Sequence, residues 1–165
     1  MTDRPPLSPN RADGFAPLPE ARAARWSRFG RWEERFFPNV VGLELEEVRI
    51  DYARMRLPFR AELNQPAGVV HGGAIATLID TVVVPAIGSA YDEFMTMLTL
   101  DLQIRFLGAA TATDLVAEGW ITRRGRSILF CQAEVRAVDT DTVVAEGWMT
   151  YKVSAPRVPV PNGGP

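Results

Sequence analysis

Four residues within ten positions have side chains or backbone suited to chemistry at a carbonyl group: His71, Gly72, Gly73 and Asp80. They open a mostly apolar run that extends to Tyr91, in which Asp80 is the one charged side chain. Desolvating a carboxylate is costly, so a buried one needs a specific role or partner. The run is too short for a membrane span and has helical apolar spacing, which predicts a helix buried in protein.

A helix that begins at these glycines would supply a donor for an oxyanion. Its first N–H groups have no intrahelical partner and lie at the positive end of the helix dipole. Gly72 and Gly73 would let a ligand approach this backbone closely. Asp80 would supply the complementary group, a general base or a nucleophile for the carbonyl carbon.

The spacing of Gly72 and Asp80 restricts how they can cooperate. Eight residues of one helix separate them by roughly 12 Å, too far for one carbonyl group to contact both. Two antiparallel copies of the helix would bring Gly72 of one chain near Asp80 of the other. If both groups act, the sequence therefore predicts a site shared by two subunits of a dimer.

Each of these residues also has a plainer interpretation. Asp80 can be a structural carboxylate bonded to Thr77 or Thr81. His71 can fix the loop and cap the helix instead of acting as a base. Gly72 and its neighbour can serve close packing alone.

The flanking sequence predicts the elements that position the site. A helix is expected from Glu20 to Phe37, ending at Pro38, either docked on its own domain through aromatic residues, or acting as a lid or a membrane-surface helix. A single long strand is expected over Val40–Arg60, with a phase shift near Glu46. Further strands are predicted over Met95–Phe106, Leu115–Arg123, Ser127–Val138 and Val143–Val153. Two similar segments, AEGWIT at 117–122 and AEGWMT at 145–150, are expected on adjacent strands.

These elements predict an α+β fold in which a long central helix is wrapped by a five-stranded antiparallel sheet. Residues 39–153 would form this domain. Residues 1–38 would be an N-terminal extension with a disordered start followed by an amphipathic helix, and residues 154–165 a flexible tail. The edges of the sheet favour self-association.

Composition restricts the function classes. A net charge of −2 without a basic face argues against nucleic acid as a partner. With only Cys131 and His71 as soft ligands, a zinc site of the usual kind is excluded, and we expect no metal and no cofactor. The N-terminus has no apolar signal core, which favours a cytoplasmic protein without stable membrane insertion.

With its HGG motif, an aspartate nine residues after the histidine and this strand order, the sequence resembles the hotdog-fold acyl-CoA thioesterases, in particular the phenylacetyl-CoA thioesterase-like branch. The resemblance covers about residues 40–153. The segments that carry it are LNQPAGVVHGG, IATLID, MLTLDLQIRFLGAA and RRGRSILF. It implies a homodimer, often paired into a homotetramer, with active sites at the subunit interface.

The resemblance also implies roles for individual residues. Asp80 matches the catalytic carboxylate and Gly72 the backbone donor to the thioester carbonyl, while His71 matches a histidine that shapes the site. Thr99 matches a hydroxyl that helps to orient water. The family often has an asparagine six positions before the histidine; here Gln65 has that spacing and Asn64 lies one position earlier, so either amide can reach the substrate.

Three arginines at one predicted hairpin, Arg123, Arg124 and Arg126, suit the phosphate groups of CoA, since guanidinium forks match phosphate geometry. Their plainer interpretation is a solvated turn. Together the observations predict an acyl-CoA thioesterase that releases a free acid and CoA. The alternatives are a non-catalytic acyl-CoA-binding or regulatory protein, which would not need Asp80, and a hydratase, which the lone His71 fits poorly.

Overall fold

A single long helix, α3 (Gly72–Gly88), packs against one face of a six-stranded antiparallel sheet. The computed structural model describes residues 11–156; residues 1–10 and 157–165, which include most of the predicted disordered start and tail, lie outside them. The strands are β1 (Glu44–Arg49), β2 (Tyr52–Leu57), β3 (Thr96–Phe106), β4 (Leu115–Arg124), β5 (Ile128–Ala137) and β6 (Thr142–Ser154). Their order in the sheet is β1-β2-β4-β5-β6-β3, which leaves β1 and β3 at the edges.

The predicted architecture of one long helix on an antiparallel sheet is confirmed, but the sheet has six strands where five were expected. The predicted strand Val40–Arg60 is a hairpin, because the chain turns at Ile50 and Asp51. Asp51 has a φ of 66°, a left-handed conformation that aspartate tolerates better than most residues. The predicted phase shift is present as a register irregularity between Leu45 and Glu47.

The N-terminal helix is shorter than predicted. Helix α1 covers Glu20–Trp26, and the chain then turns through Gly30, whose φ of 78° is incompatible with a continuous right-handed helix. Pro38 does not end a helix; it lies in the first turn of a second short helix, α2 (Phe37–Val41), where its missing N–H costs no hydrogen bond.

Helix α1 docks on the C-terminal end of α3, in agreement with the interpretation that it packs on its own domain through aromatic residues. Trp26 is buried and lies so close to Gly88 that an added Cβ there would be 2.3 Å from its ring. Arg22 donates to the carbonyl of Ser89 at 3.0 Å, and Arg25 to that of Tyr91 at 3.1 Å. These cations complement the negative end of the α3 dipole. No helix within residues 11–156 has the length and apolar character to cross a membrane.

The two AEGW segments lie on β4 and β6 and are separated by β5, so the prediction of adjacent strands is wrong. Their glycines, Gly119 and Gly147, face α3. An added Cβ would lie 2.8 Å from Val82 Cγ1 at position 119 and 2.5 Å from Ile79 Cγ2 at position 147. The repeated glycine therefore lets the helix approach the sheet closely enough to bury its apolar side.

Gly147→Ala should destabilise the fold by about 1–3 kcal/mol, because the new methyl group overpacks against Ile79. Gly14→Ala is the matched control, since an added Cβ there meets no atom within 4 Å among the described residues. Urea denaturation of the two variants measures the difference. Equal midpoints for both variants would contradict close packing at Gly147.

Strand β3 does not alternate regularly, contrary to the sequence prediction. The register shifts between Thr99 and Asp101, so Leu100 has no direct partner on β6. Thr99 is paired with Tyr151, and Leu102 with Met149, whose side chains belong to the core on the α3 side. The bulge therefore turns Thr99 toward the helix, on the same face as Leu102 and not with Asp101 as predicted.

Candidate active site

Asp80 lies in the middle of α3, where two hydroxyl groups from the sheet hold its carboxylate. Thr99 Oγ1 donates to Asp80 Oδ1 at 2.9 Å, and the Tyr151 hydroxyl contacts the same oxygen at 2.5 Å. The Tyr151 hydroxyl also lies 2.7 Å from the backbone carbonyl oxygen of Asp80. Hydrogen bonds to an ionised carboxylate are among the stronger ones in proteins, so this arrangement fixes one carboxylate oxygen.

The other carboxylate oxygen, Oδ2, accepts no hydrogen bond from residues 11–156. Asp80 is only partly buried, so this oxygen has access to a substrate or to water. The structure does not support the interpretation that Asp80 is bonded to Thr77 or Thr81 of its own helix, because its carboxylate is bonded to residues of the sheet. Thr77 instead donates its hydroxyl to the carbonyl of Gly73 at 2.9 Å.

Tyr151 was not singled out from the sequence. Its ring is 2% exposed, and burial followed by the neighbouring Asp80 charge raises the pKa of its hydroxyl, so it remains a proton donor at neutral pH. The missed signal was its position on the predicted last strand. Tyr151 lies four residues after Gly147, at an even spacing that places both on the helix-facing side.

The start of α3 is held by His71. Its Nδ1 accepts a hydrogen bond from the Gly73 N–H at 2.8 Å, and its carbonyl accepts one from Ala74 at 2.9 Å. His71 is therefore the N-cap of the helix, as the loop-fixing interpretation predicted. The Gly72 N–H, the first of the helix, donates to no acceptor within residues 11–156 and is free to bind a ligand.

A phenyl ring lies against Gly72. An added Cβ at this position would be 3.2 Å from Cζ of Phe106, whose side chain is 54% exposed. The free N–H of Gly72 is therefore bordered by an apolar surface at the end of β3. Such a surface suits the apolar part of a ligand whose oxygen is bound by the backbone.

The loop before His71 separates the two candidate amide residues. Asn64 pairs with Val70 across a short bridge, and its Oδ1 is buried without a hydrogen-bond partner among the described residues. Gln65 is exposed in the turn that follows, where its backbone N–H donates to the Val69 carbonyl at 2.9 Å. Asn64 is therefore the amide residue that lies beside Val70, the residue before His71.

The arginine hairpin lies near the opposite end of α3. Arg124 forms an ion pair with Asp51 and lies 5.2 Å from the centre of the Tyr91 ring, just after the helix ends. The backbone N–H of Asp51 in turn donates to Oγ of Ser89 at 2.8 Å. All three arginines are exposed, and among them Arg124 has these structural partners.

A cleft of about 560 Å³ lies elsewhere, between α1 and the edge strand β1. Trp26, Phe29 and Leu43 line its apolar part, and Glu44 and Arg31 are among its polar residues. Neither Asp80 nor Gly72 contributes to it. Within residues 11–156 no group of three His, Cys, Asp or Glu side chains is arranged to hold a metal ion.

The site in one chain thus has two separate parts on the same helix. The free N–H of Gly72 lies at its start, and the Asp80 carboxylate with Thr99 and Tyr151 lies in its middle. Since eight residues of helix span roughly 12 Å, one carbonyl group cannot contact both parts of a single chain. Both parts adjoin β3, one of the two edge strands of the sheet.

Comparison with known proteins places this arrangement in a family. In sequence, the chain is 32% identical over 113 residues to a candidate esterase of Halobacterium salinarum, covering 66% of this chain and 74% of the relative. In structure, it is similar to a conserved protein of Pseudomonas aeruginosa, with 30% identity and a TM-score of 0.67 over 73% of this chain and 95% of that chain.

The PaaI protein from the phenylacetic acid degradation operon of Escherichia coli has the same fold, with a TM-score of 0.72 over 81% of this chain and 94% of that one. At 17% identity, this similarity bears on the fold alone. The family model of the thioesterase superfamily matches residues 67–151, a span that contains His71, Gly72, Asp80, Thr99 and Tyr151. Since this span is more than half of the sequence, the chain belongs to the thioesterase superfamily and has its hotdog fold.

Proposed function

We propose that the protein is an acyl-CoA thioesterase that hydrolyses a thioester to a free acid and CoA, with Asp80 as its general base. The observation that carries this proposal is the Asp80 carboxylate itself. One of its oxygens is held by two hydroxyl donors, and the other has no partner among the described residues. A carboxylate fixed in this way suits proton abstraction better than a purely structural role, which would use both oxygens.

The neighbouring Thr99 supports a reaction through water. Its hydroxyl proton is donated to Asp80 Oδ1, so its oxygen can still accept a hydrogen bond. A water molecule that donates one proton to Thr99 and the other to Asp80 Oδ2 would be oriented by two acceptors. Its oxygen then attacks the thioester carbon, Asp80 takes the proton, and the carbon–sulfur bond breaks to release the CoA thiolate, which is subsequently protonated.

The negative charge that develops on the carbonyl oxygen needs a donor, and we assign this role to the Gly72 N–H. A preorganised backbone donor of this kind is worth about 3 kcal/mol of barrier lowering. His71 holds the donor in place by capping the helix. Because Gly72 and Asp80 of one chain are too far apart, the donor comes from a second copy of the chain.

The surface for this second copy is the β3 edge. Large apolar side chains are exposed there, with Leu98 and Leu100 each 56% exposed and Phe106 54% exposed. An edge strand with exposed apolar side chains is suited to pairing with its own copy across a two-fold axis. Such pairing would set two α3 helices side by side in opposite directions, which gives a homodimer and leaves open its further pairing into a homotetramer.

The remaining candidate residues would bind the substrate around this centre. Asn64 and Gln65 lie in the loop before the oxyanion donor. Gly73 has no side chain that would obstruct access of the substrate to the start of the helix. Arg123 and Arg126 are exposed and would contact the phosphate groups of CoA. Arg124 contributes less to this binding, because its guanidinium is already paired with Asp51.

Release of free CoA from a panel of short, long and aromatic acyl-CoAs, phenylacetyl-CoA included, tests the proposed function. We expect turnover of at least one acyl class, and in H₂¹⁸O a single turnover should place the label in the free acid. Label in the Asp80 carboxylate would instead assign Asp80 as a nucleophile. Tight binding of the panel without any turnover would overturn the enzymatic proposal in favour of a binding protein.

A further inference from the structure

We propose that Tyr151 is a positioning residue for Asp80, which fixes the carboxylate so that Oδ2 alone is presented for catalysis. This inference rests on the proposed function, because it concerns the same carboxylate. It adds a residue of the last strand, β6, to a site that the sequence motif places only on α3 and β3.

The two hydroxyls that hold Asp80 come from directly paired positions on neighbouring strands. Thr99 of β3 and Tyr151 of β6 are opposite each other, and both approach Asp80 Oδ1, at 2.9 Å and 2.5 Å. The terminal torsion of an aspartate side chain is soft, so a carboxylate without such donors samples a broad range of orientations. Two donors on one oxygen remove that freedom and leave the other oxygen in a defined position.

Tyr151 is the more rigid of the two donors. Its strand is bonded to β5 on one side and β3 on the other, and its ring is 2% exposed. Thr99, in contrast, lies next to the bulge of an edge strand and is exposed. The Tyr151 hydroxyl also lies 2.7 Å from the backbone carbonyl oxygen of Asp80, so it is close to both the carboxylate and the backbone of α3.

The proton on Tyr151 is available for this role. Its raised pKa, caused mainly by burial and then by the Asp80 charge, keeps the hydroxyl protonated. The other side chains that influence it are Thr99 and the buried thiol of Cys131. The hydroxyl has a single proton, and both acceptors within hydrogen-bond distance of it, Oδ1 and the backbone carbonyl oxygen, belong to Asp80, so either hydrogen bond joins Tyr151 to this residue.

Tyr52 provides a matched control within the same chain. It is also fully buried, and its hydroxyl donates to a carboxylate, Glu118 Oε1, at 2.6 Å. Glu118 pairs with Glu134 of β5 and is next to Gly119, which faces α3, so its side chain lies on the opposite face of the sheet. Tyr52→Phe therefore removes the same kind of hydrogen bond at a place where the proposed reaction does not occur.

The test compares Tyr151→Phe with Tyr52→Phe in steady-state hydrolysis of the best acyl-CoA of the panel. Tyr151→Phe should lower kcat by about 10- to 100-fold with KM within about twofold, the effect expected of a misplaced catalytic group. Tyr52→Phe should keep kcat within about twofold. Thermal unfolding of both variants shows whether their folds are comparably affected. A Tyr151→Phe enzyme with wild-type kcat, or equal losses of kcat in both variants, would overturn the positioning role.

The Asp80→Asn background distinguishes a failure of this inference from a failure of the proposed function. If Tyr151 acts through Asp80, Tyr151→Phe causes no further loss of kcat in Asp80→Asn protein, whereas a structural role gives the same loss in both backgrounds. Undiminished turnover in Asp80→Asn alone would refute the proposed function itself. A readout without activity is the hydroxyl proton of Tyr151 in ¹H NMR, which should be strongly downfield in wild type and move upfield in Asp80→Asn. An unchanged resonance would contradict the Tyr151–Asp80 hydrogen bond.

Discussion

Asp80→Asn should lower kcat for thioester hydrolysis by about 10²- to 10⁴-fold, the usual contribution of a general base. The amide keeps the shape of the carboxylate and still accepts hydrogen bonds from Thr99 and Tyr151 through one oxygen. It cannot take a proton from water, so binding of acyl-CoA should change much less than turnover. Steady-state kinetics together with equilibrium titration of a non-hydrolysable CoA thioether analogue measures both quantities.

The control for this substitution is Glu118→Gln. Glu118 is also a carboxylate bonded by a buried tyrosine, Tyr52, but it lies on the other face of the sheet. Loss of turnover in Glu118→Gln as well as in Asp80→Asn would point to a general effect on folding. If Asp80→Asn alone retained wild-type kcat, Asp80 would have no part in the mechanism.

The second large effect is expected at Gly72, where the backbone N–H can be removed without breaking the helix. Gly72 is the first residue of α3, a position where proline is favoured because the N–H has no intrahelical role. The preceding His71 has a ψ of 135°, within the range that a following proline requires. Gly72→Pro should therefore fold normally and lose the oxyanion donor, with kcat about 10²- to 10³-fold lower.

Gly72→Ala distinguishes the effect of losing the backbone N–H from the effect of adding a side chain at this position. Both substitutions introduce a Cβ 3.2 Å from the Phe106 ring, which is half-exposed and can shift. Only proline removes the donor, by replacing its hydrogen with the ring carbon Cδ, so the ratio of kcat between the two variants reports the effect of blocking the N–H without that of the added Cβ. Equal kcat values for Gly72→Pro and Gly72→Ala would show that Gly72 serves packing and not the reaction.

The central part of the fold was predictable because local patterns and tertiary structure agree there. The apolar spacing of α3 and the alternation of β4, β5 and β6 are each satisfied by burial of one face, and all four elements are present. The extension was harder to predict. The aromatic and arginine residues of 20–37 fit a helix, but Gly30 takes a left-handed conformation that splits it.

The motif of the candidate site was recognisable in the sequence, but the residues that hold Asp80 in the structure were not. His71, Gly72 and Asp80 are recognisable because their spacing along one helix is fixed by the chain. Thr99 was assigned to the wrong face of β3, since a bulge of one residue reverses the alternation and leaves no clear trace in the sequence. Tyr151 lies 71 positions from Asp80, and only the pairing of β6 with β3 shows that they meet.

Heterodimers of Asp80→Asn with Gly72→Pro test directly whether two chains share one site. The two variants are co-expressed with different tags, and the heterodimer is purified through both. If Gly72 of one chain acts with Asp80 of the other, each heterodimer has one intact site and one with both defects, and it should recover about half of the wild-type kcat per dimer. Each homodimer of a single variant should remain nearly inactive. Heterodimers as inactive as the two parents would contradict a shared site, because that result requires Gly72 and Asp80 to act within the same chain.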